Sequence, residues 1–138
     1  MLLSTIALAA TSAGLSGCAT TSAPPAAPLE APAPSPGVAY AGIGETVYVD
    51  GPKVTPLEVI EDSRCPQGVQ CVWAGRVRLS VRIDLGSGSE TRELVLHRPE
   101  QVADGTLELV EVWPPRAKTP PDAPPKPWRF GFRFMGGL

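Results

Sequence analysis

The side chains that could carry out catalysis are few in this chain, and they lack the companions that such chemistry requires. His97 is the only histidine among 138 residues, and Arg98-Pro99 follows it. A Ser–His–Asp site needs a histidine together with a serine on a tight elbow such as Gly-x-Ser-x-Gly. The Gly86-Ser87-Gly88-Ser89 segment lacks this pattern and suits a hairpin loop instead. We therefore expect His97 to be exposed at a strand end, and the chain not to be an enzyme.

Three neighbouring carboxylates, those of Glu58, Glu61 and Asp62, could serve catalysis or bind calcium. In a regular strand, residues three apart project from opposite faces, so Glu58 and Glu61 would be separated. Solvated surface charge is then the simpler interpretation. The sequence also contains no phosphate-binding loop, dinucleotide fingerprint or flavin signature. We expect no cofactor and no bound metal.

Acylation is a third kind of chemistry, and it concerns Cys18. Residues 2–15 form an apolar run of 14 residues, which Leu15-Ser16-Gly17-Cys18 closes and no Lys or Arg precedes. The run is too short for a membrane span, which needs about 20 residues, and is typical of a secretory signal. Its last four residues resemble the lipobox of bacterial lipoproteins. The resemblance implies cleavage before Cys18, whose thiol would receive diacylglycerol and whose amine would receive a further chain such as palmitate.

The same resemblance implies an address in the cell envelope. Ala19 is not the aspartate that retains such lipoproteins at the inner membrane, so we expect the outer membrane, with the protein facing the periplasm. Residues 19–37 hold six Ala, six Pro and four Ser or Thr, a composition that predicts a disordered, partly polyproline II tether. The chain is thereby divided into a signal peptide (1–17), a lipidated cysteine with its Ala/Pro-rich tether (18–37) and one domain (38–138).

Charge excludes one class of partner. The net charge is −2 and the charged residues are interspersed, so no basic block is available for nucleic acid. We expect contact with the membrane through the N-terminal lipid, and with an unknown envelope protein or polymer.

If lipid occupies Cys18, Cys65 and Cys71 remain as a pair. The periplasm is oxidising, so we expect a disulfide that stabilises the fold by about 2–2.5 kcal/mol. A metal site built from Cys65, Cys71, His97 and Asp62 is the alternative, although two cysteines with five residues between them are not a usual zinc spacing.

The most distinctive stretch of the domain surrounds these cysteines and reads Asp-Ser-Arg-Cys-Pro-Gln-Gly-Val-Gln-Cys-Val-Trp-Ala-Gly over residues 62–75. It predicts a stapled loop between two strands, with Trp73 starting the second strand as a core residue. The segment resembles one found in small, uncharacterised bacterial envelope proteins, and the likeness extends over most of residues 44–135. This resemblance implies a shared β fold and disulfide, and it implies no activity.

Asp62, Arg64 and Trp73 are the candidate binding surface of this loop. Arg64 could pair with Asp62 or Glu61, or stack on Trp73. One interpretation is that the loop only supports the fold, in which case Trp73 fills the core and Arg64 is an exposed ion pair. The other is that a rigid loop presents Trp73 and Arg64 to a partner, because loops on a β scaffold often carry function.

The elements that would position this loop are strands. Apolar residues alternate with polar ones over residues 76–83 and 128–134, and strand patterns also occur at 45–50, 54–61, around Leu94 and Leu96, and at 107–112. In the last of these the apolar phase changes between Leu109 and Val110, which indicates a bulge or a strand buried on both faces. Six or seven short strands predict an all-β domain, either a small Ig-like β-sandwich or a barrel.

Two surface features complete the prediction. Residues 114–127 contain seven prolines in 14 positions, which predicts a long surface loop between the last two strands, with Trp113 and Trp128 fixing its ends in the core. Arg76, Arg78 and Arg82 would form an outward stripe on their strand. Ion pairing across the hairpin to Glu90 or Glu93 is the simpler role for the stripe, and binding of an anionic polymer is the alternative.

Together these observations predict a non-enzymatic envelope lipoprotein whose β domain binds or scaffolds a periplasmic component. The alternative is a secreted protease or lysozyme inhibitor, since the Pro-rich loop loosely resembles the inhibitory loops of Ig-like cysteine-protease inhibitors. The companion loop signatures of those inhibitors are missing from this sequence.

Overall fold

The computed structural model describes Ala31, residues 33–117 and residues 127–136. The predicted signal peptide, Cys18, most of the predicted tether and the middle of the Pro-rich loop lie outside these residues. The described part contains eight strands: β1 (Ala39–Ala41), β2 (Val47–Tyr48), β3 (Lys53–Asp62), β4 (Val77–Asp84), β5 (Ser89–Val95), β6 (Glu100–Val102), β7 (Gly105–Trp113) and β8 (Arg129–Gly136). It contains no helix capable of crossing a membrane.

The strands form two antiparallel four-stranded sheets, in the orders β1-β8-β7-β6 and β2-β3-β4-β5. The predicted small β-sandwich is therefore confirmed. Hairpins join β3 to β4 and β4 to β5 within one sheet, and β7 to β8 within the other. The turn at Asp50-Gly51-Pro52 connects β2 to β3, as its composition predicts.

The core lies between the inner faces of the sheets, and it follows the alternation of the sequence. Four residues of β4 are fully buried, namely Val77, Leu79, Val81 and Ile83. Phe130 and Phe132 of β8 are buried from the other sheet, and Phe134 packs against the same cluster. Each such side chain stabilises the fold by about 1.5–3 kcal/mol, so the period-two pattern of these two strands accounts for much of the core.

Bulges interrupt two strands. In β7 the pairing with β8 shifts between Leu109 and Glu111, so Val110 is an extra residue and the predicted phase change is a bulge. In β3 the pairing with β4 shifts at Leu57 and again at Ile60. The Ile60 bulge has a consequence for the acidic residues, because Glu58 now pairs with Ser80 and Glu61 with Arg78, both on the outer face. The expectation that these two carboxylates occupy opposite faces was wrong, since it assumed a regular strand.

Packing of the folded part begins before β1. The Tyr40 hydroxyl donates to Glu111 at 2.6 Å, and the Ser35 hydroxyl donates to the same carboxylate at 3.1 Å. Tyr40 and Glu111 are both paired with Gly131 on the outer face of their sheet. The contacts of the sandwich thus include Ser35, three residues ahead of the start predicted from composition.

Candidate functional site

Residues 63–76 form the loop between β3 and β4, and we call them the stapled loop. Cys65 and Cys71 are disulfide-bonded, with Cα atoms 5.9 Å apart, which confirms the predicted pairing. At the base of the loop the Ser63 amide donates to the Arg76 carbonyl at 2.9 Å. Gly75 has a positive φ of 69°, and a Cβ there would collide with the Ser63 carbonyl oxygen. Only glycine suits this close approach of the two ends.

Arg64 is the residue that fixes the stapled loop to the sandwich. Its guanidinium donates through Nε and Nη2 to the two carboxylate oxygens of Asp62, at 2.9 and 3.1 Å. Nη1 and Nη2 also donate to the carbonyls of Val112 and Pro114, each at 3.0 Å. The side chains of Arg64 and Asp62 are only 16% and 12% exposed. Of the partners expected for Arg64, Asp62 is confirmed, and the description of this pair as exposed was wrong.

The start of the Pro-rich segment lies beside the stapled loop. The Arg116 guanidinium donates to the Arg64 carbonyl at 2.7 Å, and the Gln67 amide donates to the Arg116 carbonyl at 2.9 Å. Pro114 is buried. The loops that follow β3 and β7 therefore emerge at one end of the sandwich and are joined by reciprocal hydrogen bonds. At the far end of the Pro-rich segment, Trp128 stacks on Phe130 with ring centroids 5.7 Å apart and packs against the core, while Trp113 is half-buried.

Trp73 does not enter the core. It is 83% exposed, and its neighbour Val72 is 91% exposed. The prediction that Trp73 begins a strand as a core residue was wrong, because β4 begins only at Val77, where its ladder with Asp62 of β3 ends. Trp73 lies beyond that last pair, in the loop rather than in either sheet. Val72, which sequence reasoning did not single out, is the more exposed of the two.

The stapled loop is also uncharged over most of its length. Residues 65–75, which we call the tip, contain no Asp, Glu, Lys or Arg. Charged residues begin immediately outside the tip, at Arg64 on one side and Arg76 on the other. The candidate residues thus divide into two groups, a part-buried Asp62–Arg64 clamp at the base and an exposed, uncharged tip carrying Trp73.

The arginine stripe is neutralised by neighbouring carboxylates. Arg78 donates to Glu93 of β5 through Nη2 at 2.7 Å and to Glu61 through Nη1 at 3.4 Å, and Arg76 donates to Glu61 at 3.0 Å. Arg82 pairs with Asp84 of its own strand at 2.9 Å. Cross-strand pairing is therefore confirmed for Arg78.

These contacts favour the ionised carboxylates. Hydrogen bonds from Arg76, with a further one from Ser63, hold the pKa of Glu61 below its ordinary value. The hydrogen bond from Arg78 does the same for the pKa of Glu93.

The remaining candidates for chemistry do not converge. His97 is exposed, as expected, and has a positive φ of 61° in the turn after β5. Gly86-Ser87-Gly88-Ser89 lies at the β4–β5 hairpin. Within residues 33–117 and 127–136, no three His, Cys, Asp or Glu side chains come together in a way that could hold a metal ion.

Comparison with known proteins identifies no relative of this chain. No protein-family model matches the chain, and no curated protein or solved structure is significantly similar to it. The likeness inferred from residues 62–75 remains a prediction, and function has to be argued from the stapled loop itself.

Proposed function

We propose that this chain is an envelope lipoprotein, anchored through Cys18 in the outer membrane and facing the periplasm, whose β-sandwich is a non-enzymatic binding domain. The tip of the stapled loop is its binding surface. The observation that carries the proposal is the exposure of Trp73 and Val72, 83% and 91%, on a loop that is otherwise held firmly in place.

An exposed apolar residue is common, since much of any protein surface is apolar. The arrangement at the tip is less common, because two adjacent large side chains project from a loop that covers nothing of its own core. Tryptophan is the residue type most enriched among interface anchors. Exposure of this kind is therefore better explained by a partner than by folding.

The base of the stapled loop supports the same function. The disulfide closes the loop, and the Arg64 clamp ties it to carbonyls of Val112 and Pro114. A loop held in one conformation before binding loses less entropy when it binds. Asp62 and Arg64 thus serve the surface by positioning it, and Trp73 is the group that makes contact.

The test is photo-crosslinking in the native envelope. A photoreactive amino acid replaces Val72 in one variant and Tyr48 in another. Tyr48 is also exposed, but it lies beside Lys53, at the end of β3 remote from the stapled loop. We expect discrete adducts from position 72 and none from position 48. Equal, diffuse labelling from both positions would contradict the proposal.

A second candidate function is inhibition of a protease or lysozyme. It is favoured by the joining of the stapled loop to residues 114–117 through Gln67 and Arg116, since two adjacent loops at one end of a small β domain can enter an active-site cleft. Inhibition assays against periplasmic proteases and lysozymes, repeated with Trp73→Ala, separate this function from simple binding.

A further inference from the structure

We infer that the tip of the stapled loop inserts into the interface of a lipid bilayer. The inference rests on the proposed function in one respect, namely that anchoring through Cys18 keeps the domain close to a membrane. Its physical basis is the chemistry of residues 65–75 and of the residues directly beneath them.

The tip carries no charge. No charged residue occurs in the 11 positions of the tip, although 19% of the residues of the chain are charged. Transfer of an unpaired charge out of water is strongly unfavourable. An exposed loop without charged residues therefore suits surroundings that contain no opposite charges. The region of a bilayer below the lipid headgroups has this property.

The apolar residues exposed at the tip are of a kind that suits a membrane interface. Trp73 carries an apolar ring with a single N–H donor, and tryptophan is enriched where a membrane meets water because its ring and its polar group suit the two sides of that boundary. Val72 and Val69 supply aliphatic area beside it and are also exposed. A short tip of this composition matches the depth of an interface rather than a full span.

The charged residues at the base of the stapled loop also suit a membrane surface. The carboxylates nearest to the tip are engaged by arginines, Asp62 by Arg64 and Glu61 by Arg76. The Arg116 guanidinium, beside the stapled loop, donates to a neutral carbonyl. The Arg116 guanidinium would lie at the height of lipid phosphates when the tip is inserted, and its positive charge would complement an anionic headgroup layer.

The test measures the depth of Trp73 in the lipidated, full-length protein reconstituted into phosphatidylcholine vesicles, with and without phosphatidylglycerol. Acyl chains brominated near the headgroup quench tryptophans that enter the bilayer. We expect quenching in the wild type and its loss in Trp73→Phe, which keeps an apolar ring at the tip. In a matched control, Tyr48→Trp in the Trp73→Phe background places an exposed indole at the remote end, and no quenching should return.

A second variant places a charge in the tip. Val72→Asp should abolish the quenching of Trp73 while leaving the melting temperature unchanged, because Val72 is almost fully exposed. The inference is overturned if Trp73→Phe is quenched as strongly as the wild type, or if an anchored wild type is not quenched at all. Crosslinks from position 72 to a protein, without lipid adducts, would also overturn it and would leave the proposed binding function standing. Failure of the anchoring through Cys18, on which the inference rests, has a separate signature, a protein without acyl chains in the soluble fraction.

Discussion

At the residue scale, Arg64 and Trp73 exchange the roles that their types suggest. A tryptophan after a cysteine reads as a core residue, and an arginine two positions after an aspartate reads as a surface ion pair. In the folded chain Trp73 is exposed and Arg64 is almost buried. The reason is that the acceptors of Arg64 include carbonyls of Val112 and Pro114, which are about 50 positions away in the sequence. No pattern in the sequence around Arg64 predicts that these distant carbonyls are its acceptors.

If the loop only supported a fold with Trp73 in its core, substitution of Trp73 would destabilise the fold more than substitution of Arg64. The structure reverses this order. Arg64→Ala removes the guanidinium that donates to the Asp62 carboxylate and to two carbonyls, and we expect a loss on the order of 3 kcal/mol in the free energy of unfolding. Trp73→Ala should change it by less than about 0.5 kcal/mol, as an exposed substitution does. Urea unfolding followed by circular dichroism measures both values.

Arg82→Ala is the matched control for the Arg64 substitution, since Arg82 is an exposed arginine paired with Asp84. Its loss should be under about 1 kcal/mol. If Arg64→Ala unfolds at the same urea concentration as the wild type, Arg64 is not a clamp, and its place in the binding surface has to be reconsidered.

At the scale of the element, strands with several alternations were predictable and shorter ones were not. β4 and β8 each carry four or more positions of regular pattern, and both appear where the sequence indicates them. β1 and β6 have three residues each, which is too short for a period of two to be recognised. They are defined by pairing with β8 and β7, a long-range effect. The bulges of β3 likewise depend on its partner strand.

The outer face of the β2–β5 sheet should make stability depend on acid pH. The lowered pKa of Glu61 means that its ion pairs stabilise the fold above the ordinary value of 4.5, and that this contribution is lost as the pH falls through the lowered value. Glu61→Gln should accordingly reduce the melting temperature at neutral pH. The difference from the wild type should shrink as the solution is acidified below 4.5.

Salt provides the control for this effect, because the pairs of Glu61 with Arg76 and Arg78 are solvent-accessible and salt screens such pairs. Thermal unfolding in high salt should show a smaller difference between Glu61→Gln and the wild type at neutral pH. A difference that persists at all pH values and salt concentrations would indicate a packing role for the Glu61 side chain instead.

At the scale of the whole molecule, the proposed address depends on one atom, the sulfur of Cys18. Cys18→Ser removes the acyl acceptor, so we expect the protein to leave the membrane fraction or to accumulate with its signal peptide attached. Mass spectrometry and detergent partitioning report the change. The double variant Cys65→Ser/Cys71→Ser lacks the disulfide but keeps Cys18, and it should remain with the membrane. An unchanged mass and partition for Cys18→Ser would contradict the lipoprotein assignment.

The two bulges of β3 bear on whether copies of this protein can pair edge to edge. β2 pairs with β3 only at Val54 and Lys53, and the Gly44 amide donates to the Pro56 carbonyl, so it is the part of the outer β3 edge beyond Pro56 that offers backbone donors and acceptors to a strand of another molecule. Edges of this kind are where β proteins join into aggregates. Anchored copies would meet often, since diffusion in a membrane is confined to two dimensions. The extra residues Leu57 and Ile60 break the regular spacing of backbone donors and acceptors along that edge. A strand from a neighbouring copy therefore cannot form a continuous ladder of hydrogen bonds with it.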